Sequence, residues 1–223
     1  MTGSLFFEAI TKILLGFLVM ALLIFLPAGT VSYWNGWLLL GLLFVPMLIA
    51  GVVLMVKNPK LLARRLQGKE SGKEQSFVVK LSGLMFVLGF VVAGLDFRFG
   101  WTPLGKPVVM IASLVFLFSY LLYAKVISQN EYLSRTIGVE EGQRVVDTGL
   151  YGMIRHPMYL ATVFLFWTMP WILGSFYAFL PFLFYPFLIA KRIRHEESFL
   201  EKELPGYREY QKKVRYRLIP YVW

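Results

Sequence analysis

Four apolar runs, at about 13–26, 37–56, 78–95 and 108–127, constrain this chain more than any other feature of it. Each approaches the roughly 20 residues that a helix needs to cross a bilayer. Lipid offers no partner to a bare backbone N–H or C=O, so continuous apolar runs of this length are read as helices. The charged residues, 16% of the 223, are gathered between the runs. The first run can extend back to Phe6, which takes Glu8 or Lys12 to the interface, where long side chains reach water.

A fifth apolar region, 158–190, follows a polar block at 128–155. It is interrupted at Gly174-Ser175 and carries Pro170, Pro181 and Pro186. Its length suits two short helices forming a hairpin better than one span. The backbone groups freed by proline then need neighbours or a lined cavity. The fold class read from this is all-α: a polytopic membrane helical bundle of about six spans including a C-terminal helical hairpin, to which the family resemblance given below adds a cytosolic C-terminal region closing a cofactor pocket. One domain covers 1–223, with four transmembrane helices in 1–127 and a ligand-binding half in 128–223. The stretch 67–75 resembles a linker, but it joins helices rather than domains.

Basic residues crowd the loop after the second run (Lys57, Lys60, Arg64, Arg65, Lys69) and the C-terminal tail. The first connection, 27–36, carries no charge. The positive-inside rule puts both basic regions and both termini in the cytosol, which six spans satisfy and five do not. Asp96 and Arg98 then fall outside, as structural residues. Trp34, Trp37, Trp101 and Trp171 sit near run boundaries, as an interfacial aromatic belt would. The start, Met1 to Lys12, lacks the pattern of a cleaved signal peptide. A prokaryotic inner membrane is expected, with the endoplasmic reticulum as the eukaryotic counterpart.

The net charge of +10 flanks membrane segments, which points to anionic headgroups rather than nucleic acid. With no cysteine, thiolate chemistry is excluded, and two histidines, His156 and His195, argue against a histidine-rich metal site. There is neither a G-x-G-x-x-G turn nor a Walker loop to hold a nucleotide in the soluble manner.

Two polar clusters remain at the mouths of apolar segments, where ionisable groups are candidates for a site. The first is 149–159, with Tyr151, Arg155, His156, Pro157, Met158 and Tyr159. Pro157 suits the first turn of a helix, whose free N–H groups favour an anion. Arg155 adds a planar fork for a carboxylate or phosphate. An Arg-His pair anchoring a helix at the interface is the plainer reading. The second cluster is 192–197, where Arg192 and Glu196 share a helical face. These two could form an ordinary ion pair, or could hold an anionic acceptor and a cationic ligand. The tail at 204–214 reads as an amphipathic helix on anionic lipid, and 216–223 as a segment lying back over the bundle mouth.

The order Gly149-x-Tyr151, Arg155-His156-Pro157-x-Tyr159, hairpin, Arg192-x-x-x-Glu196-Glu197 and Tyr207-x-x-Tyr210 resembles the isoprenylcysteine carboxyl methyltransferase family, over about 130–220. The resemblance implies a membrane-embedded methyltransferase that uses S-adenosylmethionine, O-methylation of a carboxylate foremost, on a lipophilic acceptor entering from the bilayer. It implies cofactor contacts from Tyr151, His156, Pro157, Met158, Tyr159, Glu196 and Glu197. Gln143, Val145 and Val146 occupy the family's other cofactor segment, with Gln143 standing where relatives carry histidine. Arg192 matches the arginine that holds the acceptor carboxylate, and Arg155 is a further candidate for binding substrate. A phospholipid N-methyltransferase-like enzyme, a sterol-reductase-like enzyme using NADPH, and a non-catalytic membrane protein are the competing readings.

Overall fold

The computed structural model describes residues 2–66, 73–134 and 136–223. Four helices are long and apolar enough to cross a membrane: α1 (Thr2–Ala28), α2 (Trp34–Lys57), α4 (Lys73–Phe99) and α5 (Lys106–Gln129). Between α2 and α4 lies a short helix, α3 (Pro59–Leu66). The hairpin follows as α6 (Pro157–Ile172), the single turn α7 (Phe179–Phe182) and α8 (Tyr185–Glu203), and the tail begins with α9 (Tyr207–Lys213). The described residues contain no strand, so the molecule is an all-helical membrane bundle.

All four predicted spans are present, each longer than its apolar run. The largest change is in α1, which is helical from Thr2. Glu8 and Lys12 pair at 2.6 Å with both side chains 48% exposed, and Lys12 also donates to the Leu66 carbonyl. Residues 67–72 of the proposed linker, with Lys69 among them, lie outside the described residues. The helix α3 was not anticipated. It buries Leu61 and Leu62, so part of the basic loop is packed against the body rather than solvated.

Close helix contacts rest on small residues, since packing rather than water exclusion holds helices together in lipid. At Gly94 a Cβ would lie 2.5 Å from the Ile24 carbonyl oxygen, so α1 and α4 meet backbone to backbone. Gly94→Ala must push these helices apart. A loss of about 1–3 kcal/mol is expected, read as a lowered midpoint of thermal unfolding in detergent.

The hairpin turns where proline and glycine indicated. Gly174 has φ of 74°, a conformation that strains any other residue. The turn is pinned at this end of the bundle by buried polar groups. Asn35 donates to the Ile172 carbonyl at 2.8 Å, and the Tyr33 hydroxyl donates to the Leu173 carbonyl. Asp96, 2% exposed, accepts from the Thr102 backbone N–H at 2.6 Å and from the hydroxyls of Thr102 and Ser175. Within the hairpin, Trp167 Nε1 donates to the Phe182 carbonyl at 2.8 Å. The 16 residues of α6 rise about 24 Å, short of a full crossing, and α8 continues past the apolar region as a charged helix. Both α6 and α8 therefore have a polar end at the basic end of the bundle. Trp34, Trp37 and Trp101 are each about half exposed near the opposite end.

Candidate functional site

At the basic end the chain leaves α5 and crosses an irregular segment, 130–148. It then makes a 3₁₀ turn (Gly149–Gly152) and enters α6 at Pro157. Gln129 at the end of α5 accepts from the Leu150 N–H at 3.0 Å, seating that turn on the bundle. Gly149 allows this approach: with φ of 60°, it has no Cβ to meet the Gln129 side chain. Pro157 takes the first helical position, as its ring prefers.

Between this segment, the start of α6, the charged half of α8 and the tail lies a cleft of about 790 Å³, counted out to its open mouth. Tyr151, His156, Met158, Tyr159 and Glu196 line it, and so do Gln143, Val145 and Val146 from the irregular segment. Residues singled out in three separate stretches of sequence thus meet at one cavity. Tyr132, Ser134, Thr136 and Ile137 also line it, as do Leu200, Tyr207 and Tyr210. Sequence reasoning missed the first four because no periodicity marks an irregular wall; their one signal was a polar block directly after a span.

A chain of hydrogen bonds runs inward from the cleft. Tyr159 donates to Glu196 Oε2 at 2.6 Å and accepts from Arg192 Nε at 2.9 Å. Arg192, 9% exposed, does not line the cleft and sits behind Tyr159. An acidic group in the cleft and a guanidinium beneath it are therefore joined through one phenol.

Several expectations need correction. Arg155 lines the cleft, yet its guanidinium is committed: Nε donates to Glu197 at 2.7 Å, and Nη1 to the carbonyls of Val214 and Arg215 at 2.7 and 2.9 Å. Glu197 and Pro157 do not line the cleft. Glu197 is 2% exposed and also meets His156 Nε2 at 3.2 Å and Arg217 Nε at 2.7 Å. The N–H groups of Arg155 and His156 are likewise taken, by the Tyr216 and Arg217 carbonyls, both at 2.9 Å. Tail backbone thus lies against the two residues that precede α6. The tail itself is a lid. Tyr207 and Tyr210 are buried with Leu204 and Val214 against Val145 and Leu200, and the Tyr210 hydroxyl donates to the Tyr151 carbonyl at 2.7 Å. Its aromatic face is therefore spent on the protein rather than on lipid.

Burial alone would raise the Glu197 carboxyl, but hydrogen bonds from His156, Arg155 and Arg217 prevail and hold it at about 2. A carboxyl held below its unfolded value stabilises the fold above that value, and loses this as pH falls through the folded one. Tail docking is therefore expected to be constant from neutral pH to about 4.5 and to fail between there and about 2. Cleavage beside the tail's aromatic residues, scored against pH with an acid-active protease, would reveal it. An onset near pH 6 would contradict the assignment. Burial likewise pushes the Tyr151 phenol up to about 12, so it stays protonated at working pH.

With this geometry, the comparison with known proteins becomes specific. Residues 109–202 match the isoprenylcysteine carboxyl methyltransferase (ICMT) family. The ICMT match runs from α5 through the irregular segment and hairpin to the end of α8, taking in every predicted site residue. The lid formed by α9 and the last ten residues lies beyond it. Delta(14)-sterol reductase TM7SF2 of Mus musculus is 30% identical over 135 residues, 54% of this chain and 32% of that protein. The aligned part thus spans about a third of the relative's length.

Proposed function

We infer that the protein is a membrane-embedded methyltransferase acting on a lipophilic acceptor, with a carboxylate as the methylated group. The observation that carries this reading is Glu196 in the cleft, linked through Tyr159 to Arg192 on the hairpin side. An anionic group thus serves the cleft, and a cationic group serves what lies beneath it.

The cleft suits S-adenosylmethionine by its donor set: a carboxylate for positive charge, phenol rings for a base, and small apolar side chains at Val145 and Val146. That cofactor supplies a methyl group activated on a sulfonium. Glu196 would hold its cationic portion, with Gln143, Val145, Val146, Tyr151, His156, Met158 and Tyr159 forming the walls. Arg192 would orient the acceptor carboxylate, since a planar fork matches two carboxylate oxygens. The lid keeps water from both, and alignment in a dry site supplies the rate. The acceptor enters from the bilayer between helices, and the basic end of the bundle faces the cytosol.

A reductase reading, prompted by the name of the mouse relative, would place a nicotinamide dinucleotide phosphate in the cleft. Its phosphates call for cations. Among the described residues lining the cleft these are Arg144 and Arg155, and Arg155 is committed elsewhere. Glu196 adds the wrong charge.

Calorimetry on the full chain in detergent decides between the two. S-adenosylhomocysteine should bind, Glu196→Gln should weaken S-adenosylmethionine about tenfold or more, and NADPH should not bind. NADPH binding with no adenosyl ligand bound would move the protein to the reductase class.

A further inference from the structure

We propose that Arg65, on the short helix α3, is a second cation of the acceptor site and meets the acceptor's anionic group on the bilayer side of the cleft. This rests on the methyltransferase reading and extends it to a residue outside 109–202.

With Leu61 and Leu62 buried, the last turn of α3 brings two arginines to the body. Arg64 is used internally: Nη1 donates to the Glu131 carbonyl at 2.7 Å, and Nη2 pairs with Glu140. Arg65 is used only in part. Its Nη2 donates to the Tyr123 hydroxyl, and its Cζ lies 5.1 Å from the centre of that ring. Nη1 is buried and has no hydrogen-bond partner among the described residues. A buried guanidinium nitrogen without an acceptor is costly, and a carboxylate or phosphate relieves that cost best.

The position selects the source of that anion. Tyr123 lies six residues before Gln129 on α5, hence about 9 Å deeper toward the bilayer than the residue that seats the cleft turn. Tyr151 is within electrostatic reach of Arg65, Tyr123 and Glu196 together. Tyr185, whose hydroxyl donates to Thr162, is within reach of both Tyr123 and Arg192. Arg65 from α3 thus reaches Tyr123 and Tyr151, Arg192 from α8 reaches Tyr159 and Tyr185, and Tyr123 lies within electrostatic reach of both Tyr151 and Tyr185. A lipophilic acceptor reaches that depth sideways, with its charged end last.

The test uses the full chain in detergent, as wild type, Arg65→Gln, Arg65→Lys and Tyr123→Phe. The probes are an S-isoprenylated N-acetylcysteine with a free carboxylate, its carboxamide, dodecyl phosphate, and S-adenosylhomocysteine. Arg65→Gln should weaken an anionic probe about tenfold or more, leaving the carboxamide and S-adenosylhomocysteine unchanged. Arg65→Lys should recover part of that loss. Should Arg65→Gln fail to fold, Tyr123→Phe, which keeps the charge but frees the guanidinium, must shift the anionic probe alone. Loss of S-adenosylhomocysteine binding with the anionic probes unaffected would assign Arg65 to the cofactor and overturn the proposal. So would a folded Arg65→Gln that binds every probe as wild type does, or a wild type that holds S-adenosylhomocysteine and neither anionic amphiphile. A wild type that binds no adenosyl ligand would instead defeat the methyltransferase reading beneath it.

Discussion

Replacing Glu197 with alanine is expected to cost about 3–5 kcal/mol and to release the C-terminal tail, the largest stability effect of any single substitution here. The carboxylate lies between Arg155, His156 and Arg217, the first two as buried as itself. Its removal leaves the Arg155 guanidinium charged, enclosed and facing only the Val214 and Arg215 carbonyls. An uncompensated buried charge is much worse than the absence of the pair. The far end of the tail depends on this carboxylate more than α9 does, since α9 keeps its apolar contacts with Val145 and Leu200. Arg217 loses its carboxylate partner, and the backbone bonds to Arg155 and His156 become the remaining tie near the start of α6. Two readouts should change together: protease cleavage within the tail, and the affinity for S-adenosylhomocysteine, since Tyr207 and Tyr210 line the cleft from the lid. A Glu197→Ala protein with a wild-type melting profile and an uncut tail would show that the hub is not what holds the lid.

The second large effect is catalytic. Arg192→Ala should lower methyl transfer about a hundredfold or more while leaving cofactor affinity largely unchanged. Arg192 stands behind Tyr159 rather than in the cleft, so on the proposed reading its loss should remove acceptor orientation and not a cofactor contact. Tyr159→Phe separates the two roles. It deletes the oxygen that both Glu196 and Arg192 use, so a moderate fall in rate and a moderate weakening of cofactor are expected together. Arg192→Lys keeps the charge and loses the fork, and should restore only part of the rate. Initial rates with an isoprenylated carboxylate, alongside calorimetric binding, separate these outcomes. Equal loss of rate and cofactor affinity in Arg192→Ala would move the arginine to the cofactor site.

Much of this molecule was legible before folding, for reasons that are local. The four long helices follow from runs that no other backbone arrangement satisfies in lipid. The hairpin was visible because Gly174 and its prolines interrupt an apolar stretch too long for one span. The cleft's polar residues stood out because ionisable groups are scarce beside apolar segments. The amphipathic tail was equally plain, but its partner was not: a face of Tyr207, Tyr210 and Val214 looks the same whether lipid or protein covers it.

Glu196 and Glu197 show where local reasoning stops. They are the same chemical type in adjacent positions, and successive residues on a helix point about 100° apart. One carboxylate therefore faces the cleft, and the other is enclosed among two arginines and a histidine. Composition and spacing determined that α8 would carry carboxylates and an arginine at the membrane surface. The tail's path across α6, with carbonyls that cap Arg155 and Arg217 that reaches Glu197, decided which carboxylate faces the cleft and which is enclosed. Arg155 was diverted from ligand to clasp by the same contacts. Those contacts join residues 20 to 60 positions apart in the chain, and a period along one helix carries no information about them.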